Sequence, residues 1–170
     1  AATSISGLKE VLGVTAISGE ITYQAPIRTA SGVEEQALLR GVFETALLVH
    51  ETVRLIEGSF PGPGEVMVGH LAHRKLGVNQ KDLAIGKSLY FGDSEITISG
   101  RFTAPGTVLE SEIWFDRNDL ASLTQRDSLS SITLRLAEGD IDDVELFTFQ
   151  RNDLELASIR EDLYYQKLSL

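Results

Sequence analysis

Apolar and polar positions alternate in short runs along most of this chain, and that period-two pattern predicts strands. "ITYQAP" (21–26) and "EEQALLRGV" (34–42) read as two strands, and the intervening "IRTASG", with Ser31 and Gly32, suits the turn of a hairpin. "FETALLVHETVRLIEG" (43–58) changes character partway. Its first half fits a helical turn and "VRLIEG" a strand, before the Pro/Gly loop "GSFPGPGE". "EVMVG" (65–69) predicts another strand. "HLAHRKLG" (70–77) predicts a short helix with Leu71 and Leu76 inward, stopped by Gly77.

"KSLYFGDSEITISGRFTA" (87–104) reads as a hairpin turning at Gly92 and Asp93. In "LESEIWFDRNDL" (109–120), Ile113, Trp114 and Phe115 lie along a strand, and Asp116 is placed to cap a helix over 117–123. Asp119 favours the same helix end through the dipole. "SSITLRLA" (130–137) alternates as a strand. By contrast, Ile141, Val144 and Phe147 in "DIDDVELFTFQR" (140–151) predict a helix with acids at its start. At the two ends, "SISGLKEVLGV" predicts an amphipathic helix, "LELASI" a strand, and "REDLYYQKLSL" a final helix or tail. These elements together predict an α+β fold of short mixed or antiparallel sheets with packed helices.

Charge and composition narrow the function. The 170 residues carry a net charge of −10, which disfavours nucleic acid and bare anionic lipid as partners. Cysteine is absent, removing disulfides and thiol catalysis. No apolar run reaches the roughly 18 residues of a membrane span, and "AATSISGLKE" lacks the regions of a signal peptide. An excised extramembrane domain of a membrane protein reads the same way.

Candidate chemistry is sparse. His70 and His73, three apart on a helix, form half of a zinc site at most; the H-E-x-x-H pattern is missing, so two surface or rim histidines are expected. His50 stands alone. Glu110 and Glu112 are expected to share one face of a solvated strand edge, where acids discourage aggregation. The run Glu138 to Glu145 lacks the order of a calcium loop and reads as a solvated helix start. "FPGPGE" is a rigid loop whose prolines remove the amides that a phosphate cradle needs. Neither G-x-S-x-G nor G-x-x-x-x-G-K-[ST] occurs. Trp114 is expected in the core; an aromatic contact surface with Tyr164 and Tyr165 is the alternative. No residue is assigned a catalytic, cofactor-binding or metal role, and no cofactor is expected.

The order of several motifs resembles the extracytoplasmic core domain of MacB-type, or FtsX-like, ABC transporter permeases. These are Glu57-Gly58, the Pro/Gly loop ending in Gly64 and Glu65, Val68-Gly69 leading to Ala72 and Leu76, Ile85-Gly86, Phe91-Gly92, then Gly100 and Phe102. "ESEIW", "SSITLRL" and "REDLYYQK" are similar to a subset of those permeases. The resemblance covers about residues 50 to 165. It departs at Ile98 to Gly100, where two valines and a glycine are more usual, and residues 14–50 match little.

The resemblance implies a non-catalytic domain between the first two transmembrane helices of a permease, outside the cytoplasmic membrane. Its implied partners are a cytoplasmic ABC ATPase, a second permease copy in a homodimer, and extracytoplasmic partners or cargo, with no nucleic acid. It implies two lobes, residues 1–50 with 130–170 forming one and 51–129 the other, inserted between them. The function expected is to relay ATP-driven motion and dock substrate, cargo or partner during export or lipoprotein handling. A free-standing extracytoplasmic module binding a small molecule or peptide is the alternative, and a metal hydrolase using His70 and His73 is a third reading.

Overall fold

Two long strands set the frame. β1 (Val14–Thr29) and β2 (Glu34–Val42) pair antiparallel from Ile21 opposite Gly41 to Arg28 opposite Glu34. The computed structural model describes residues 14–124, 131–138 and 141–150, with side chains over 18–124. Alternation decides which face is covered: Ile21, Ala25, Ile27, Ala37 and Leu39 are all buried, whereas Gln24, Pro26 and Gln36 are exposed. Gly32, at φ +94°, makes the reversal that a side chain would oppose, and Thr29 N–H closes it on the Val33 carbonyl at 2.8 Å.

With 16 residues, β1 is longer than one small sheet needs, and its halves serve different neighbours. Val14 to Ile21 pairs antiparallel with β8 (Ser131–Glu138), which pairs in turn with β9 (Ile141–Gln150). The second half closes a barrel. From β2 the sheet continues to β7 (Ile113–Asp116), parallel, then antiparallel to β4 (Glu65–Gly69) and parallel to β6 (Ser94–Thr103). β5 (Ser88–Phe91) pairs with β6 and returns to β1 through Arg28–Tyr90 and Thr29–Leu89. Six strands thus close on themselves. β3 (Arg54–Gly58) joins β6 beyond β5.

This topology overturns the expected α+β fold of short sheets with packed helices. Among the described residues the helices are α1 (Ala46–Val49), α2 (Ala72–Leu76) and α3 (Arg117–Thr124), each too short to form a layer. Strands on both sides of residue 50 belong to one closed barrel, which leaves its members no free edges. The helix expected over 140–151 is also a correction. Residues Ile141–Gln150 form β9, in register with β8 from Ser131 opposite Gln150. The Val, Phe and Thr content of "VELFTF" favours a strand, and pairing with a ready neighbour prevails over a helical spacing of three or four apolar residues. Residues 4–13 of the first helix expected, the strand expected at "LELASI" and the final helix or tail with Tyr164 and Tyr165 lie outside the described residues.

Two apolar clusters lie on opposite faces of the sheet. The interior draws on all six barrel strands, including Ile21, Leu39, Val66, Leu89, Ile98 and Phe115, with Ala72 and Leu76 of α2 and Leu120 of α3 added. The second, outer cluster combines Val42, Met67, Phe102 and Trp114 with Ala46, Val53 and Leu109. In β4 the alternation Val66, Met67, Val68 alone separates the two. In β6 a bulge changes the phase: Ile98 faces Val66, but Gly100 faces Met67, so Phe102 joins the outer cluster.

Candidate functional site

The outer cluster surrounds a group of buried charges. Arg40 sits on β2 between Leu39 and Gly41, so its side chain takes the face opposite the barrel interior, beside Trp114 on the parallel neighbour β7. It donates Nε–H to Glu112 Oε1 at 2.7 Å and Nη2–H to Oε2 at 3.0 Å, a bidentate fork, and Nη1–H to Glu20 Oε1 at 2.9 Å. His50, just after α1, approaches both Glu20 oxygens through Nε2 at 2.8 and 3.0 Å, a contact in which the ring nitrogen must donate. Trp114 Nε1–H completes the group on Glu112 Oε1 at 2.9 Å. All five residues are at most 7% exposed.

Isolated charges at this depth would be costly; here each carboxylate has several donors. Burial pushes the Glu20 carboxyl upward, but the His50 hydrogen bond and charge together with the Arg40 charge outweigh it, and the pKa lies below the ordinary value. For Arg40, burial is outweighed by Glu112 and Glu20, so its pKa lies above the ordinary value. The group ties four parts of the fold together: β1, β2, the α1 segment and the entry to β7. Rings reinforce it, with Trp114 edge-on to His50 at 5.4 Å and tilted against Phe102 at 4.9 Å. Nearby, Arg117 donates Nη1–H to the Gly19 carbonyl at 2.8 Å and stacks over Phe43 at 4.0 Å.

Glu112 also borders an outward groove of about 280 Å³, with Gln24, Gln36, Leu38, Lys75 and Ser111 around it. The arrangement holds charge and orients donors. Its hydrogen bonds anchor the elements that supply these side chains to one another.

The expectation that Glu110 and Glu112 form a solvated strand edge is corrected. Glu110 lies in a 3-10 turn (Val108–Ser111) and is 7% exposed; its carboxylate accepts Ala104 N–H at 2.8 Å. Glu112 is 1% exposed. The two carboxylates serve separate partners. His50, expected to stand alone, is buried in the charge group. His73 Nδ1–H is donated to the His70 carbonyl at 3.0 Å, and no group of three potential metal ligands occurs among the described residues. Asp116 accepts Asp119 N–H at 3.1 Å and caps α3 as expected, while Asp119 accepts Gly64 N–H from the Pro/Gly loop at 2.8 Å. Trp114 is fully buried, as expected. Of the acids expected at a helix start, Glu138 ends β8, and Asp142, Asp143 and Glu145 lie on β9.

Alternation and motif spacing single out neither Glu20 nor Arg40. An arginine inside "ALLRGV" is the one available signal, since a charge in an otherwise apolar strand asks for a partner.

No family profile matches the chain, and no curated protein does. Solved structures do. The extracellular domain of the ABC-type transporter YknZ from Gram-positive bacteria is 17% identical with a TM-score of 0.56, over 91% of this chain and 76% of that one. The periplasmic region of MacB from Actinobacillus actinomycetemcomitans is 11% identical with a TM-score of 0.59, over 92% and 81%. A domain of a putative permease from Porphyromonas gingivalis is 16% identical with a TM-score of 0.50, over 86% and 60%. At these identities the likeness is one of fold, and the chain is built like the extracytoplasmic domains of MacB-type ABC transporters, as its ordered motifs led us to expect.

Proposed function

We propose that this chain is the extracytoplasmic domain of an ABC transporter permease and acts by docking and relayed motion, without catalysis. The observation that carries this reading is the shared fold, over 91% and 92% of the chain, with the YknZ and MacB domains. In this reading a cytoplasmic ATPase supplies the energy, consistent with the lack of a G-x-x-x-x-G-K-[ST] loop in the sequence, and two permease copies move against each other. A domain that passes on displacement must resist deformation itself. The closed barrel supplies that stiffness, and the Glu20–Arg40–Glu112–His50 group supports it by fastening the α1 segment to the outer sheet face. Substrate, cargo or partner proteins would dock on the outer surfaces during export or lipoprotein handling.

The test is membrane fractionation of the full-length gene product, followed by protease added from outside to intact spheroplasts. Recovery with the membrane, cleavage within this domain and co-purification of an ATPase are the expected results. A soluble product with no ATPase partner overturns the proposal in favour of a free-standing binding module.

A further inference from the structure

A second cavity lies on the other flank of β6, away from the charge group. It is a cleft of about 600 Å³ where the β3–β6 pair meets the 3-10 turn Gln80–Leu83. That volume is within the roughly 300 to 1,000 Å³ of small-ligand sites. Glu57, Arg101, Asn79, Gln80, Lys81 and Ile85 contribute to its walls.

The charges of this cleft are unbalanced. Glu57 and Arg101 face each other across the β3–β6 ladder and meet at 2.8 Å, Arg101 Nη2 to Glu57 Oε2. Arg101 has five N–H donors, yet Glu57 is its one charged partner among the described residues, and its buried Nε lacks any hydrogen-bond partner. The Glu57 side chain is 52% exposed, so this contact is a weak, water-screened one that another carboxylate can replace. Lys81 has no ion pair among the described residues. The nearest acid in sequence, Asp82, is occupied in capping its own turn, where it accepts Asn79 N–H at 3.2 Å. One surplus positive charge therefore faces a cleft on a protein of net charge −10. In its wall Ile85 is 39% exposed.

We propose that this cleft binds an acidic peptide segment, with its carboxylate on Arg101 and Lys81, its backbone on the side-chain amides of Asn79 and Gln80, and an apolar side chain on Ile85. Glu57 competes with the ligand for Arg101. The inference stands apart from the permease reading, because it concerns this cleft whether or not membrane spans flank the domain.

The experiment is calorimetric titration of the 170-residue chain with the C-terminal amides of N-acetyl-leucyl-glutamate, its glutamine counterpart and N-acetyl-glutamate, so that the side-chain carboxylate is the one that differs. Saturable binding of the acidic dipeptide, about tenfold or more tighter than the glutamine form, is expected from a charge-assisted contact. Arg101→Gln should weaken binding about tenfold and Lys81→Gln several-fold. Glu57→Gln should tighten it. Both Arg101→Gln and Glu57→Gln remove the same ion pair, so a purely structural effect would move them in the same direction; opposite directions mark ligand recognition. No saturation up to about 10 mM, a limit corresponding to very weak affinity, overturns the proposal. Equal affinity for acid and amide, or unchanged binding in Glu57→Gln, does the same. N-acetyl-glutamate binding as tightly as the dipeptide would replace the peptide with a small carboxylic acid.

Discussion

Arg40 and Glu112, 72 positions apart in sequence, meet through a buried two-bond fork at 2.7 and 3.0 Å. The pair joins β2 to the start of β7, whose parallel register runs from Leu39–Ile113 to Val42–Asp116. Replacing Glu112 leaves the buried Arg40 with Glu20 as its carboxylate partner and empties the acceptors of its Nε–H and Nη2–H. Glu112→Leu should therefore cost about 3–5 kcal/mol in urea denaturation. The double variant Glu112→Leu with Arg40→Met should recover part of that loss, because the guanidinium donors left without acceptors are gone while His50 still serves Glu20. A single variant within about 1 kcal/mol of wild type would mean that Arg40 finds water or another acid.

Trp114 contributes both area and a hydrogen bond. Trp114→Ala should cost about 3–5 kcal/mol by opening a cavity against Phe102 and His50. Trp114→Phe keeps an aromatic ring there but removes the donor to Glu112, and about 1–3 kcal/mol is expected. Equal losses for the two would show that the Nε1 bond, not the packing, dominates.

Glu20 makes stability depend on acidity. Its folded pKa lies below the ordinary 4.5, so the unfolded chain binds the proton more readily. The resulting stabilisation is fully present above that ordinary value and is lost as pH falls through the folded one. Urea midpoints measured from about pH 6 down to pH 3 should decline, and Glu20→Gln should flatten the decline while lowering stability at the upper end. An unchanged slope in the variant would move the origin to other carboxylates.

Gly69 permits a close approach of two segments. A Cβ there would collide with the Glu110 carbonyl, next to where Gly69 N–H is donated to the Glu112 carbonyl at 2.9 Å. Gly69→Ala should cost at least about 1–3 kcal/mol by forcing β4 and the 3-10 turn apart. A neutral result would show that this turn yields freely.

Asp116→Ala tests the α3 cap. Loss of the Asp119 N–H acceptor should cost about 0.5–2 kcal/mol in thermal or urea unfolding, and Asp116→Asn should restore most of it. If the asparagine variant is no better than alanine, the contribution is the charge near the helix start and not the bond.

Local chemistry is enough to determine most local elements. Alternation marks the strands around Ile21, Leu39, Val66, Ile96 and Phe115, Gly77 ends α2 at φ +70°, and Asp116 caps α3, because these depend on neighbours a few residues away. Residues 141–150 depart from expectation because several apolar positions fit a helix spacing, and only pairing with β8 decides for a strand. The α+β expectation fails at closure: β5 returns to β1 through contacts between Leu89 or Tyr90 and Thr29 or Arg28, about which no local pattern carries information. The burial of Glu112 is likewise illegible. Its partners lie at residues 20 and 40 through Arg40, and the segment that covers them carries His50, so a charge that looks solvated in sequence becomes an anchor. The sequence by itself determined which residues turn, cap or alternate. The tertiary structure alone decided which charges leave water, since that depends on what the fold brings against them from elsewhere in the chain.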